Sequence, residues 1–256
     1  MIHRPRLPQK SDFPNISKLS IVPPPGNTTL TSVLLLLHGL GDTEVPFTKL
    51  AQSLTLPATV GIAIRAPNLI PPLFTGLEAP AFHWSDDLIF NEHDLNMDSD
   101  GGFSRAISSL EEIVMNLRHR CGFEERDILI LGFGQGASVG LGFIARMEKD
   151  QNLISGFGGI VAIGGGLPKE TLCWIPDTPS AKLKTPLLIC GGNSKTNVTQ
   201  EVISTLKARF ADMRYVKWEK QGDEMPRNRQ EMLPIMEFFA RRIRSRAGVP
   251  HDAVEL

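Results

Sequence analysis

The sequence predicts an α/β fold with a mostly parallel central sheet and helices on both faces. Short apolar runs alternate with helical patterns along the chain, as they do in sheets that are wrapped by helices. Most of these runs, such as Val33–Leu37, are continuous and do not alternate with polar residues. Continuous runs are typical of strands buried on both faces, which is how parallel sheets hold their strands.

Six segments are predicted as strands and five as helices. The strands are Val33–Leu37, Val60–Arg65, Ile128–Gly132, Gly159–Ile163, Pro186–Cys190 and Tyr215–Trp218. The helices are Val45–Leu54, Phe103–Arg120, Gln135–Lys149, Gln200–Ala211 and Arg227–Arg246. In the second helix the apolar residues recur at the spacing that places them on one face, which predicts a buried stripe.

The domain is predicted to cover residues 18–246, between two tails. Residues 1–17 and 247–256 are polar or proline-rich and show no periodicity, so we expect them to be tails. The loop at 68–82 is rich in prolines. A long loop of this kind is often functional, and we interpret it as a rim or lid over the carboxyl ends of the strands.

Composition excludes several classes of protein. The 256 residues carry a net charge of −1, which does not suggest a nucleic-acid partner. The longest apolar run is too short to span a bilayer, so we expect no integral membrane segment. Three widely spaced cysteines fit neither a disulfide framework nor a metal site, and they favour a reducing compartment. We therefore expect a cytoplasmic protein without a cofactor or a metal.

One glycine-rich turn, in "ILILGFGQGASVGLGF" at 128–143, is open to two interpretations. Gly132, Gly134 and Ala137 have the spacing of a dinucleotide-binding loop. Such a loop normally opens the first strand–helix–strand unit and needs an acidic residue at the tip of the next strand. Here the turn lies midway along the chain, and the next strand, "GGIVAIGGG", has no acid. The other interpretation is the strand–turn–helix elbow that presents a nucleophile, with the serine missing.

Five motifs decide between these interpretations. The chain reads HGLGDT at 38–43, RAPN at 65–68, HWSDD at 83–87, GFGQGA at 132–137 and GGGLP at 164–168. In this order they resemble the landmarks of the acyl-protein thioesterase/carboxylesterase family, the phospholipase/carboxylesterase group of α/β-hydrolases. The resemblance spans roughly residues 30–246, and it implies an α/β-hydrolase fold.

The resemblance also implies where a serine–histidine–acid triad should lie, and all three positions are changed. The family's serine aligns with Gly134, which has no side chain to attack a carbonyl group. The acid aligns with Lys195, whose charge would cost about 4 kcal/mol beside an imidazolium ~4 Å away at an effective dielectric constant near 20. The base aligns with Met225, which cannot accept a proton. We call Gly134, Lys195 and Met225 the triad-equivalent positions.

The half of the site that receives a ligand is retained. In the family, two backbone amides form the oxyanion hole, and they correspond here to the amides of Leu40 and Gln135. Amides at a helix N-terminus attract anions and carbonyl oxygens without a nucleophile. The predicted pocket rim consists of Leu69, Leu73, Phe74, Phe82 and Trp84.

Substitute catalytic groups are weaker candidates. Ser138 lies one helical turn past the elbow, where a packing or capping role is more common. His251 lies in the predicted tail, and Cys190 lies at a strand end, where small buried residues are frequent. His38 resembles a family position that supports the oxyanion loop. A cluster on one loop could suggest a metal site but lacks the helical spacing of zinc ligands: His83, Asp86, Asp87, Glu92, His93 and Asp94.

These observations favour a non-catalytic member of the family that acts as a ligand-binding or regulatory protein. Its ligand would be an acyl or carboxylate compound, and a protein partner is also possible. The alternative is an active carboxylic-ester or thioester hydrolase that uses relocated residues. A nicotinamide-dependent oxidoreductase is disfavoured because the acid that binds the ribose is missing.

Overall fold

A computed structural model describes residues 5–16, 18–26, 28–75, 79–87, 89–91, 96–98, 102–151, 156–175 and 182–243 of the chain. The strands in these parts are β1 (Leu19–Val22), β2 (Ser32–Leu37), β3 (Thr59–Ile64), β4 (Asn68–Ile70), β5 (Ala81–His83), β6 (Ile89–Asn91), β7 (Asn96–Asp98), β8 (Ile128–Phe133), β9 (Gly159–Ile163), β10 (Leu187–Gly191) and β11 (Met213–Lys217). The helices are α1 (Glu44–Leu54), α2 (Pro72–Thr75), α3 (Ser104–Cys121), α4 (Gln135–Gln151), α5 (Lys169–Leu172), α6 (Gln200–Arg209) and α7 (Arg229–Arg242).

Within the described ranges, the central sheet has seven strands in the order β1-β3-β2-β8-β9-β10-β11. Every neighbouring pair is parallel except β1 with β3, which are antiparallel. The predicted α/β-hydrolase fold is confirmed, and the six predicted strands are β2, β3 and β8 to β11. Strand β1 was not predicted, because it has four residues, lies at the sheet edge and is mostly half-buried.

Two apolar clusters, one on each face of the sheet, explain the continuous strand pattern. In β2, Val33, Leu35 and Leu37 belong to the cluster that holds the apolar residues of α3 and α4. Leu34 and Leu36 point to the opposite cluster, which contains residues of α1 and α7. Both faces of the strand are therefore covered by helices, so no position along it needs to be polar.

Helix α3 forms as its apolar periodicity predicts. Ile107, Leu110, Ile113, Val114 and Leu117 are fully buried. Gly122 follows the last turn with φ +80°, a left-handed conformation that glycine adopts at helix ends without a steric penalty.

The described part of the N-terminal segment is packed against the domain, which differs from the tail that we predict for residues 1–17. Phe13 is buried in the α3/α4 cluster. The guanidinium of Arg6 donates two hydrogen bonds to Asp12, at 2.6 and 2.9 Å, and the Arg6 amide donates to the carbonyl of Cys121. A charged pair and one aromatic anchor have no periodicity, so the sequence pattern does not reveal them. The predicted C-terminal tail, with His251, lies outside the described residues.

The segment at 68–82 includes two short strands, β4 and β5. They pair antiparallel, with Leu69 opposite Phe82 and Asn68 opposite His83. Residues 76–78 of this segment are outside the described residues, so its role as a rim or lid remains a prediction.

Candidate functional site

The glycine-rich turn joins β8 to α4 as a sharp elbow. Gly134 is the turn residue and has φ +53°, in the left-handed region. Its amide donates a hydrogen bond to the carbonyl of Ile163 at the tip of β9, over 2.8 Å. Its own carbonyl accepts from the amides of Ala137 and Ser138, at 3.1 and 3.2 Å, in the first turn of the helix. The turn therefore has the strand–turn–helix geometry that presents a nucleophile in other folds of this class.

The three glycines of the turn have different steric requirements. A Cβ atom on Gly132 would lie 2.6 Å from the Cα atom of Ala137, and one on Gly136 would lie 2.5 Å from the carbonyl oxygen of Leu37. Both contacts are with backbone, which cannot move aside. Among the described residues, a Cβ atom on Gly134 would meet only the Cα atom of Gly39, at an ordinary 3.7 Å. Gly132 and Gly136 are thus required by packing, whereas the space at Gly134 admits a side chain.

The loop after β2 is held by His38, which is completely buried. Its Nε2 atom accepts a hydrogen bond from the amide of Ala66 at 2.9 Å, so its proton is on Nδ1, which donates to the carbonyl of Gly39 at 2.7 Å. Burial lowers the pKa of His38 below its ordinary value, so the ring is neutral. With both nitrogens occupied, His38 fixes the loop and cannot accept a proton from a substrate.

Leu40 lies in the loop after β2, and Gln135 is the first residue of α4, directly after the elbow. Within the described parts of the chain, neither amide has a hydrogen-bond acceptor. The neighbouring Gly41 amide is taken by the carbonyl of Phe82, at 2.9 Å. The Gln135 side chain is buried and accepts from the amide of Trp84 at 3.1 Å, which fixes the start of α4. Two open amides beside the elbow can therefore receive an oxygen atom with partial or full negative charge.

Lys195 lies in the loop after β10, which we call the acid loop (residues 192–198). Its side chain is exposed, and its backbone has φ +51°. The acid loop is paired with the loop after β11, which we call the base loop (residues 218–228). The amide of Asn193 donates to the carbonyl of Lys220 at 2.8 Å, and the amide of Gly222 donates to that of Ser194 at 2.7 Å. The structure thus brings the predicted acid and base segments side by side.

Met225, in the base loop, is half-buried against the apolar cluster of α1 and α7. Its carbonyl accepts a hydrogen bond from the ammonium group of Lys220 at 3.0 Å. Lys220 is itself buried, lies 2.7 Å from a carboxylate oxygen of Glu231 and is 4.3 Å from the centre of the Trp218 ring. This lysine was not predicted as part of the site, because a lone lysine in a polar segment resembles a solvated one.

Asp223 is a second residue that the sequence does not indicate. Its Oδ1 atom accepts from the hydroxyl of Thr196 at 2.6 Å and from the amide of Gly192 at 3.2 Å. Its Oδ2 atom accepts from the amide of Asn197 at 2.6 Å. The side chain also covers Gly164, where a Cβ atom would lie 2.5 Å from that of Asp223. One carboxylate from the base loop is therefore bound by three donors of the acid loop.

The predicted pocket rim separates into exposed and buried residues. Leu73 is 89% exposed and Leu69 is 55% exposed, so both can meet a ligand or a partner. Phe82 and Trp84 are buried, so their side chains offer little surface to a ligand. The indole of Trp84 donates to the carbonyl of His38 at 2.8 Å, so it helps to hold the loop after β2. The side chain of Phe74 is outside the described part of the chain.

The loop that could suggest a metal site has other roles in its described part. Asp86 accepts hydrogen bonds from the amides of Ser104 and Arg105, at 2.8 and 3.0 Å, and so caps the start of α3. The buried His83 contacts the hydroxyl of Ser85 at 2.9 Å. Glu92, His93 and Asp94 lie outside the described residues. Among those that are described, no three potential ligands form a metal-binding group.

Cys190 is buried near the end of β10, and Cys173 is exposed. Burial raises the pKa of the Cys190 thiol to about 12. The thiolate is the nucleophilic form, and at that pKa about one thiol in 10,000 is ionised at pH 8.

We therefore expect iodoacetamide to modify Cys173 in the native protein and to leave Cys190 unmodified, as measured by peptide mass spectrometry. Unfolding in urea should make both thiols reactive. Modification of native Cys190 as fast as that of Cys173 would contradict this assignment and make a relocated thiol nucleophile credible.

Among the helices in the described ranges, none combines the length and the apolar character needed to cross a bilayer. A cleft of about 300 Å³ lies away from the elbow, where Pro23, Pro24 and Pro25 meet the C-terminal end of α1.

Comparison with protein families identifies residues 19–240 as a match to the phospholipase/carboxylesterase family. A Schizosaccharomyces pombe protein described as an uncharacterized hydrolase is 25% identical over 234 residues, which cover 90% of this chain and 91% of that protein. Acyl-protein thioesterase 1 of Candida albicans is 25% identical over 171 residues, covering 64% of this chain and 70% of the relative.

Solved structures share the fold. Acyl-protein thioesterase 2 of Zea mays superimposes with a TM-score of 0.65 at 22% identity, over 88% of this chain and 98% of that one. The esterase PE8 superimposes with a TM-score of 0.67 at 20% identity, over 88% of this chain and all of the esterase.

Proposed function

Because the chain belongs to the phospholipase/carboxylesterase family of α/β-hydrolases, we propose that it is a non-catalytic member that binds an acyl or carboxylate ligand. The observation that carries the proposal is Gly134. It occupies the turn of the elbow with φ +53°, and it has no atom that could attack a carbonyl carbon. A nucleophile at this place is what the family's chemistry requires.

The rest of the site supports the absence of hydrolysis. Lys195 and Met225 lie in the two loops that carry the acid and the base in a triad, and neither can take that role. His38 is neutral and has both ring nitrogens occupied. Ser138 lies on α4, past the elbow, and is the described residue that best represents a relocated nucleophile.

Ligand binding is supported by what remains beside the elbow. The open amides of Leu40 and Gln135 suit a carboxylate or an acyl carbonyl group. The exposed Leu69 and Leu73 provide an apolar surface in the same part of the chain as Phe82, whose carbonyl anchors Gly41. A fatty acid or an acyl conjugate combines an oxygen that can accept from the amides with an apolar chain that can contact the leucines.

We further propose that the protein is cytoplasmic. Three free cysteines are compatible with a reducing compartment, where thiols stay unpaired.

The first test is hydrolysis. The purified protein is expected to hydrolyse p-nitrophenyl butyrate and octanoyl-CoA at the buffer rate, and a fluorophosphonate probe should not label it. An active hydrolase with relocated residues would instead turn over the substrate and lose that activity in Ser138→Ala. Such a result would overturn the proposal.

The second test is binding. Octanoate at 100 times its Kd is expected to stabilise the protein by about 2.7 kcal/mol, which raises the Tm by about 5–10 °C in a domain of this size. Gly134→Leu should abolish the shift by filling the elbow, whereas Gly134→Ala, with similar backbone strain and less bulk, should retain most of it. If a panel of acyl and carboxylate compounds produces no shift, the pocket is not a ligand site, and a protein partner becomes the better explanation of the retained fold.

A further inference from the structure

Asp223 connects the two loops that a working triad would connect. In a serine hydrolase the orienting carboxylate of one loop accepts a hydrogen bond from the histidine of the other, and this contact fixes both loops. Here the direction is reversed. The carboxylate of Asp223 belongs to the base loop, and the donors belong to the acid loop: the amides of Gly192 and Asn197 and the hydroxyl of Thr196.

The Asp223 side chain makes close contacts with the acid loop and with Gly164. Both oxygens accept hydrogen bonds, and two of the three are only 2.6 Å long, as is typical when the acceptor is charged. The Cβ atom lies over Gly164, at the tip of β9, where a side chain would collide with it. The carbonyl of Ile163, the residue before Gly164, accepts a hydrogen bond from the amide of Gly134. Asp223 therefore packs against the end of β9 that holds the elbow.

Two lysines lie near Asp223 in the two loops, and neither competes with the acid-loop donors for its carboxylate. Lys220, three residues earlier, is engaged by Glu231 and by the carbonyl of Met225. Lys195 is exposed, and its carbonyl faces Gly222. In the described structure, neither lysine forms an ion pair with Asp223, so the carboxylate is satisfied by the acid loop.

We propose that Asp223 is a positioning residue that replaces the structural part of the lost acid–base contact and fastens the acid loop in a non-catalytic arrangement. The fastening itself is a property of the native chain. Its consequence for catalysis rests on the proposed function. The two parts are tested by different measurements, so that one can fail without the other.

The fastening is tested by hydrogen exchange in the native protein. The Gly192 bond to Asp223 is partly buried and the Asn197 bond is exposed. Removing hydrogen bonds to a charged acceptor weakens the protection of the donor amides, so Asp223→Ala should speed exchange of the Gly192 and Asn197 amides by at least about tenfold. Asp223→Asn keeps one accepting oxygen and should give a smaller increase. Glu219→Ala, which removes an exposed carboxylate from the same loop, should leave both rates unchanged. Unchanged rates in Asp223→Ala and Asp223→Asn would overturn the proposal.

The catalytic consequence is tested in a chain to which the triad has been returned by Gly134→Ser, Lys195→Asp and Met225→His. Lys195→Asp would add a negative charge to the acid loop next to Thr196, whose hydroxyl binds Asp223, and like charges oppose each other. Adding Asp223→Asn should raise kcat for p-nitrophenyl butyrate by at least about tenfold over the triple variant, whereas adding Glu219→Gln should not. If the quadruple variant is no faster than the triple while exchange is accelerated as expected, Asp223 holds the loop but does not oppose catalysis, and that part of the proposal is overturned.

Discussion

Returning serine, aspartate and histidine to positions 134, 195 and 225 together is expected to raise ester hydrolysis at least about 100-fold over Gly134→Ser alone. General acid–base catalysis contributes about 10²–10⁴ to rates of this kind, and a serine without a base lacks that contribution. Gly134→Ser by itself supplies a hydroxyl group beside the amides of Leu40 and Gln135. It should therefore show only the weak rate that oxyanion binding gives.

The order of addition matters in this series. Met225→His supplies a base, but the positive charge of Lys195 opposes the imidazolium that forms during the reaction. Lys195→Asp removes that charge and introduces a partner for the ring. The backbone at this position has φ +51°, which aspartate tolerates better than most residues. The gain should be strongly non-additive, with most of it appearing when both changes are present.

Steady-state kinetics with p-nitrophenyl butyrate and labelling with a fluorophosphonate probe measure this result. A matched control carries Gly134→Ser with Lys195→Asp and Met225→Gln, which introduces a polar side chain that is not a base. If a folded triple variant is no faster than Gly134→Ser, the assignment of Lys195 and Met225 as the acid and base positions is wrong.

Gly132→Ala is expected to destabilise the protein by more than about 3 kcal/mol or to prevent folding. The new Cβ atom would lie 2.6 Å from the Cα atom of Ala137 and 2.6 Å from the carbonyl oxygen of Gly136. Overpacking against a side chain typically costs about 1–3 kcal/mol, and here the obstacle is the backbone at the start of α4. Urea unfolding measures the loss.

Gly134→Ala is the matched control for that substitution. Its Cβ atom has an ordinary contact at 3.7 Å, so the cost is the left-handed backbone alone, about 1–2 kcal/mol. Equal losses for the two alanine variants would contradict the steric difference within the elbow. A stable Gly132→Ala protein would mean that the turn does not pack as described.

The features that could be predicted from the sequence are those that produce a local pattern of apolar residues or glycines. Continuous apolar strands and the stripe of α3 predict the sheet and its covering helices, because burial on one or both faces imposes a period. The elbow is predictable because Gly132 and Gly136 are both required by close backbone contacts. Strand β1, half-buried at the edge and antiparallel, carries too weak a pattern to be recognised.

The contacts that could not be predicted join residues that are distant in the sequence. Asp223 accepts a hydrogen bond from Thr196 of the other loop, and the indole of Trp84 donates to the carbonyl of His38 in the loop after β2. The sequence motif around Trp84 is therefore equally compatible with a pocket-lining side chain and with a buried supporting one. The same holds for Phe82, because the sequence of a proline-rich loop does not reveal whether an apolar side chain points inward or outward.

Under the proposed non-catalytic function, the left-handed conformation of Gly134 also bears on how readily such a protein could acquire hydrolase activity during evolution. A serine restored there adds backbone strain of about 1–3 kcal/mol and finds no base, so the first step lowers stability without a benefit that selection could retain. The other two reversions, taken singly, are equally without effect on turnover. Any route back would have to pass through several neutral or harmful intermediates, while substitutions that suit a binding role continue to accumulate. The glycine at the elbow thus makes a return to hydrolysis improbable, and lineages that acquire it are expected to keep the fold and diverge in what they bind.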